Sequence, residues 1–127
     1  MTDINTGIVR TYYHTVLKEE YFQLNGKKDG IYKHYNIYGQ LSKEVNYIDG
    51  KRNGVYKEYF WDGQISMICN FIDDKKEGIF KEYYLNGQLW IEINYMNDKE
   101  HGIYKVYHEN GQLKFEQSYV NGKLVES

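Results

Sequence analysis

Proline and alanine are absent from this chain of 127 residues, and arginine occurs only at positions 10 and 52. Ile, Asn, Lys and Tyr are plentiful in their place, the bias that an AT-rich genome imposes through its codons, which points to a bacterial or large-DNA-virus source. A single cysteine, Cys69, excludes an intramolecular disulfide framework and fits a reducing compartment. Neither a run of about 18 apolar residues nor a charged stretch followed by an apolar one is present, so the sequence predicts no membrane-spanning helix and no secretory signal. The expected location is the cytoplasm of a bacterium or host, or a virion if the source is viral.

Charge of one sign is also missing. The net charge is -2, from 16 basic and 18 acidic residues, so no whole-molecule field draws the chain to nucleic acid or an anionic membrane. The 15 tyrosines against 5 Phe and 2 Trp are a poor mixture for a thick, dry core. They suit a sheet whose rings cover a surface while their hydroxyls stay wet.

What the chain does have is a period. A unit of 24 residues, GIYKHYNIYGQLSKEVNYIDGKRN, runs from Gly30 to Asn53 and returns from Gly54, Gly78 and Gly102. Glycines 39, 63, 87 and 111 keep the same spacing. A fixed period of this size marks a repeat array. The 12 glycines stand out because their codons oppose the AT-rich bias, which argues that the backbone needs them. Residues 1–6 carry no pattern and read as a flexible leader. Residues 7–29 read as a degenerate first repeat, one residue short near its first turn, and residues 30–127 as four full repeats of a single domain.

Each full unit divides into two strands and two turns. The first strand is IYKHY, VYKEY, IFKEY or IYKVY. Tyr38-Gly39, Asp62-Gly63, Asn86-Gly87 and Asn110-Gly111 signal hairpin turns, and Asp49-Gly50, Asp73-Asp74, Asn97-Asp98 and Asn121-Gly122 carry the second turn. If the first turn is type I with its glycine in a bulge, Tyr35 faces Leu41 and Ile31 faces Val45, which gathers Ile31, Tyr35, Leu41, Val45 and Tyr47 on one side. A two-residue type I′ turn would instead pair Lys33 with Glu44, Lys81 with Glu92 and Lys105 with Glu116. A one-residue slip swaps the faces, and the bulged form is preferred for its cleaner apolar side. The fold expected is all-β: an elongated single-layer antiparallel meander of repeated hairpins, with nine or ten strands. At about 4.8 Å per strand it would be about 45 Å long.

No residue set in this pattern points to catalysis, because an active site is a unique constellation and almost every polar residue here recurs between repeats. The four histidines, His14, His34, His101 and His108, occupy different repeat positions without ligand spacing, so no metal is expected. Cys69 takes the place of Val45 and Ile93 and reads as a core thiol. The glycines are separate, not a phosphate loop, and no cofactor is expected. Two lysine rows, Lys33, Lys57, Lys81 and Lys105, and Lys51, Lys75, Lys99 and Lys123, could follow a phosphate backbone or bilayer. Glu44, Glu58, Glu82, Glu92 and Glu116 recur beside the first row and read as neutralising it.

The aromatic rows are the stronger candidates. Tyr35, Tyr59, Tyr83 and Tyr107 form one, Tyr32, Tyr56, Phe80 and Tyr104 a second, and Tyr47, Phe71, Tyr95 and Tyr119 a third. The first two lie three residues apart on one strand and so face opposite sides of the sheet. Trp61, beside a first turn, and Trp90, in a place that is Ser42 or Ser66 in other copies, break the polar pattern. Candidate interaction residues are therefore Tyr32, Tyr35, Tyr56, Tyr59, Trp61, Tyr83, Trp90, Tyr104 and Tyr107, since exposed Tyr and Trp are favoured at interfaces.

The Gly-x-Tyr-x-x-Tyr opening of Gly30, Tyr32 and Tyr35, the Asn86-Gly87-Gln88-Leu89 stretch and the closing Asn121-Gly122-Lys123 resemble MORN repeats, in the variant form of bacterial and viral arrays and of YwqK-like antitoxin proteins. The likeness runs from about Gly7 to the C-terminus. Asn97 to Gly102 follows the family's junction except that Asp98 replaces a glycine. The resemblance implies an elongated, twisted or rolled sheet of hairpins and a role as scaffold, dimerisation element or membrane-proximal module, with no catalysis from the repeat itself. The functional expectation is a non-enzymatic interaction or structural module that meets a protein partner or a second copy through its aromatic surface. The alternatives are an antitoxin-like inhibitory binder of one protein and a peripheral binder of acidic lipid or polyanion; nucleic acid is disfavoured and membrane lipid is secondary.

Overall fold

The computed structural model describes residues 4–125. Among them there is no helix; the chain forms one open antiparallel sheet. The strands are β1 (Gly7–Tyr13), β2 (Val16–Leu24), β3 (Lys27–Lys28), β4 (Gly30–Tyr35), β5 (Leu41–Ile48), β6 (Lys51–Tyr59), β7 (Ile65–Ile72), β8 (Lys75–Lys76), β9 (Gly78–Tyr83), β10 (Leu89–Met96), β11 (Lys99–Glu100), β12 (Gly102–Tyr107), β13 (Leu113–Val120) and β14 (Lys123–Val125). The order across the sheet is β1-β2-β4-β5-β6-β7-β9-β10-β12-β13-β14, each strand beside its predecessor on the path. The two-residue strands β3, β8 and β11 pair with β2, β7 and β10. They are the leading ends of β4, β9 and β12, and β6 is the uninterrupted version of the same element. The count exceeds the nine or ten strands expected because these leading ends separate and β14 adds a last rung.

Two turn chemistries alternate. In the first, Gly39 donates its N–H to Asn36 O at 2.9 Å, and Asn36 N–H goes to Gln40 O at 2.9 Å. Gly39 has φ +81°, and Gly63, Gly87 and Gly111 lie between +88° and +90°. This is the type I turn with a bulge glycine. The side chain at the turn's start locks it: Asn36 Oδ1 accepts from Tyr38 N and Gln40 N. In the second turn both central residues are left-handed, as at Asp49 (φ +51°) and Gly50 (φ +82°), the type I′ geometry whose twist suits a hairpin.

The register corrects the expected faces. Tyr35 does pair with Leu41, but a second bulge follows, and beyond it Lys33 faces Glu44, Tyr32 faces Val45 and Ile31 faces Asn46. Ile31 therefore does not share a side with Val45 and Tyr47. The extra residue is Ser42, and Ser66, Trp90 and Lys114 occupy the same place in the later hairpins. Each hairpin thus begins in one of the two registers considered and ends in the other.

The repeat-opening glycines are also not turn residues. Gly30, Gly54, Gly78 and Gly102 stand within strands at φ +101°, +106°, +85° and +97°. Between β5 and β6 the partners jump from Val45↔Tyr56 to Tyr47↔Arg52, so the strand spends extra residues around Gly54 as a bulge.

The core is one face of this single layer. A row alternating rings with smaller groups crosses it, including Tyr32, Val45, Tyr56, Cys69, Phe80 and Ile93. Val45 is 1% exposed, and Cys69 and Phe71 are each 4% exposed. Phe80 and Val106 are also buried. Cys69, Phe71 and Phe80 form the central cluster, with Tyr56, Met67, Ile93 and Tyr95 packed against it. Burial pushes the Cys69 thiol up to about 11, so it is held as a neutral packing group. Residues 1–3 of the expected leader, and Glu126 and Ser127, lie outside the described residues. Asn5 and Thr6 are tied to the turn at Asn25-Gly26, through Gly26 N to Asn5 O and Asn25 N to Thr6 Oγ1.

Candidate interaction surface

The strand period of two sorts the aromatic rows. Tyr32, Tyr56 and Tyr104 lie on the core face, with Tyr47, Phe71, Tyr95 and Tyr119 beside them. Tyr35, Tyr59, Tyr83 and Tyr107 lie on the opposite face, each half-buried and each opposite an aliphatic residue: Leu41, Ile65, Leu89 and Leu113. The candidate residues are thus not brought together in one place. Trp61 projects from the rim at the first turn of its repeat and is exposed. It lines a shallow pocket of about 370 Å³ with Gln40, Leu41 and Tyr59. Trp90 is the bulge residue of β10 and packs on Tyr84 at 5.6 Å between ring centroids. Tyr84 in turn donates its hydroxyl to Tyr107 O at 2.7 Å.

The outer face carries a charge ladder that spans the sheet. Reading across partnered positions gives Arg10, Glu20, Lys33, Glu44, Lys57, Ile68, Lys81, Glu92, Lys105 and Glu116. Opposite charges alternate at every step except at Ile68, which leaves Lys57 and Lys81 without an acid between them. Arg10 and Glu20 close to 2.8 Å. Tyr59 donates to Glu44 at 3.5 Å, tying the tyrosine row to the ladder.

Beside the ladder runs an aliphatic row that the sequence reading missed. Ile31, Val55, Ile79 and Ile103 are 55%, 49%, 54% and 50% exposed, at the same position in four repeats. Ile48, Ile72, Met96 and Val120 form a second exposed row farther along the same face. The signal was present: an apolar residue follows every repeat-opening glycine. The Ser42-type bulge shifts the register and turns that residue from the expected core side to the outer face.

On the core face, polar groups are satisfied locally. Glu19 accepts from Thr11 Oγ1 at 2.9 Å and from the Tyr32 hydroxyl. The Tyr32 bond, with the one from Thr11, holds the Glu19 carboxyl below its usual range against the opposing effect of burial. Tyr56 donates to Glu58 at 2.6 Å, and burial with this bond raises its phenol. Glu82 is raised by burial and by the nearby charge of Glu58. The two acids flank Met67 across three strands.

Cations lie over the rings of this face. Lys28 Nζ is 5.1 Å from Tyr21 and Tyr32 and 5.4 Å from Tyr47, Arg52 Cζ is 4.2 Å from Phe71, and Lys76 Nζ is 5.1 Å from Phe80 and 5.0 Å from Tyr95. A groove of about 460 Å³ lined by Tyr21, Lys28, Tyr47, Arg52 and Asp74 opens here. Of the histidines, His34 joins Ser42 Oγ at 2.7 Å and His101 Nδ1 accepts from Asn121 N at 3.4 Å. Among the described residues no three His, Cys, Asp or Glu side chains gather as metal ligands, and no helix is long and apolar enough to cross a membrane.

Among solved structures, the chain is similar to accessory secretory protein 1,2 and 3 of Streptococcus pneumoniae, at 16% identity and a TM-score of 0.48 over 84% of this chain and 19% of that one. It is also similar to S. aureus TarM, at 14% identity and a TM-score of 0.47 over 96% of this chain and 21% of that one. A TarM mutant in complex with Fondaparinux, alpha-GlcNAc-glycerol and UDP gives the same identity and score over 94% of this chain. The chain spans about a fifth of the length of each. No curated protein matches. The MORN repeat variant model matches residues 76–97 and 100–121, two adjacent units of the array. Those units lie on β8–β10 and β11–β13 of one repeated hairpin sheet, so within residues 76–121 two units of the array match the MORN repeat variant.

Proposed function

We propose that the chain is a non-enzymatic protein-interaction module whose binding surface is the outer face of the sheet. The observation that carries this reading is the row of Ile31, Val55, Ile79 and Ile103, half-exposed in four successive repeats, on a single layer that no helix covers among the described residues. Repeated apolar exposure of this kind marks an interaction surface. Tyr35, Tyr59, Tyr83 and Tyr107 flank it and supply interface-favoured rings. The charge ladder between them favours a protein partner or a second copy over acidic lipid or nucleic acid, because each lysine except those around Ile68 has an acid on either side.

The test replaces Ile31, Val55, Ile79 and Ile103 together with serine and follows self-association by sedimentation velocity across concentration. Circular dichroism monitors the fold. A concentration-dependent dimer that the variant loses while remaining folded supports the outer face as the contact. Self-association that survives both this change and serine at Tyr35, Tyr59, Tyr83 and Tyr107 contradicts it.

A further inference from the structure

The core face repeats one device four times, and the fourth copy is altered. In every full repeat two rings stand at a steep angle: Tyr32 and Tyr47 at 6.0 Å and 72°, Tyr56 and Phe71 at 5.6 Å and 64°, Phe80 and Tyr95 at 5.9 Å and 68°, and Tyr104 and Tyr119 at 6.1 Å and 85°. The repeat-opening glycine lies beside the second ring, as the pairs Gly30↔Tyr47, Gly54↔Phe71, Gly78↔Tyr95 and Gly102↔Tyr119 show. The residue two places before that glycine reaches across the rings. In three repeats that residue is Lys28, Arg52 or Lys76: the heads of Lys28 and Lys76 lie over both rings of their pair, and that of Arg52 lies over Phe71 while Lys43 Nζ stands 5.9 Å from Tyr56. A ring face attracts a cation through its quadrupole, and the attraction grows where water is excluded.

At the fourth pair the equivalent residue is Glu100. It faces Tyr95 across β10 and β11, as Lys76 faces Phe71 across β7 and β8. Glu100 is half-buried, and among the described residues no lysine or arginine is placed over Tyr104 or Tyr119. Phe115 packs on Tyr104 at 6.0 Å and adds a third ring. The ring pair is thus built as in its neighbours, while the internal cation is replaced by a carboxylate. Both changes favour a cation that arrives from outside.

We propose that Tyr104, Tyr119 and Glu100 form a binding site for the ammonium or guanidinium head of a lysine or arginine side chain on a basic segment of a partner protein. The chain itself supplies the argument for that occupant, since Lys28, Arg52 and Lys76 show which heads the rings accept. Glu100 makes the added charge neutral in the occupied state. This assignment rests on the reading of the chain as an interaction module and names the chemistry of one contact.

The test titrates the protein with a short capped peptide of alternating lysine and threonine, following backbone amide shifts by NMR. The peptide should perturb the strand positions around Tyr104 and Tyr119. Glu100→Lys restores the internal cation and should weaken binding by about tenfold or more with the fold unchanged by circular dichroism. Lys76→Glu should open the third pair and raise the stoichiometry from one peptide to two. A glutamine-for-lysine peptide should not bind. Absence of binding, an affinity of Glu100→Lys within twofold of the unaltered protein, or equal binding of the glutamine peptide overturns the proposal. Tetramethylammonium chloride that binds as tightly as the peptide would assign the site to a free quaternary ammonium and overturn the partner. If peptide binding fails while the outer-face serine variant still loses self-association, the ring site falls and the module reading stands.

Discussion

Asp74 Oδ1 accepts two hydrogen bonds from Arg52, from the backbone N–H at 2.8 Å and from Nε at 2.9 Å. The contact ties the second turn of one repeat to the strand that opens the hairpin before it. Asp74 stands at φ +68°, where Gly26, Gly50 and Gly122 stand in other repeats, so a carboxylate is kept in a backbone conformation that favours glycine. Asp98 does the same at φ +71°, accepting from Lys76 N at 3.0 Å.

Asp74→Ala should therefore destabilise the protein by about 1 kcal/mol, losing both bonds and keeping the strained backbone. Asp74→Gly should recover part of that loss. The bonds from Arg52 hold the Asp74 carboxyl below its ordinary range. Its contribution is accordingly present above the unfolded carboxylate pKa of about 4 and is lost as pH falls through the folded value. Urea unfolding of the Ala and Gly variants at neutral and acidic pH measures both effects, and the differences should shrink in acid.

Glu82 has the opposite sign. Burial and the charge of Glu58 raise its pKa in the folded state, so its ionisation opposes folding. That penalty is absent below the unfolded carboxylate pKa and grows as pH rises through the folded one. Glu82→Gln should raise the thermal midpoint at pH 7, and the gain should vanish near pH 4, as read by thermal unfolding across pH.

The two faces should respond differently to truncation. Phe71→Ala removes a ring that is 4% exposed and should cost about 3 kcal/mol. Ile79→Ser, on the outer face, should change stability by no more than about 0.5 kcal/mol. Denaturant midpoints for the pair give the comparison.

Cys69 takes a position that is Val45 and Ile93 in neighbouring repeats, with its thiol buried and pushed up to about 11. Cys69→Val should change stability by less than about 1.5 kcal/mol. The native thiol should react with a maleimide only at the rate of local or global opening, measured by mass spectrometry with and without urea.

Much of this architecture was legible in the chain. The period of 24, the Asn-Gly and Asp-Gly turns and the absence of helical patterning led to an antiparallel meander, because turn glycines and strand alternation are local physics. The faces were less legible. Ser42, Ser66, Trp90 and Lys114 each absorb one bulge, yet they share neither size nor polarity, so nothing in the text marks the slip that turns Ile31 outward. The cation row was hidden for another reason: Lys28, Arg52 and Lys76 sit in the junction before the glycine. The adjacent Lys51, Lys75 and Lys99 form the more regular lysine row, and their side chains leave from the other side of the strand. Tyrosine rows on opposite faces followed directly from their three-residue spacing, but the spacing alone did not tell which face is the core.

Which side of the sheet each residue takes is measured most directly by labelling. In a Cys69→Val background, Ile79→Cys and Phe80→Cys place a thiol on adjacent residues of β9 that point to opposite faces. The Ile79→Cys thiol should react with a maleimide at close to the rate of a free thiol, and the Phe80→Cys thiol should be protected by at least about a hundredfold in the folded protein. The reverse order, with the residue-79 thiol protected and the residue-80 thiol reactive, would contradict the assignment of the outer face and the interaction surface placed on it.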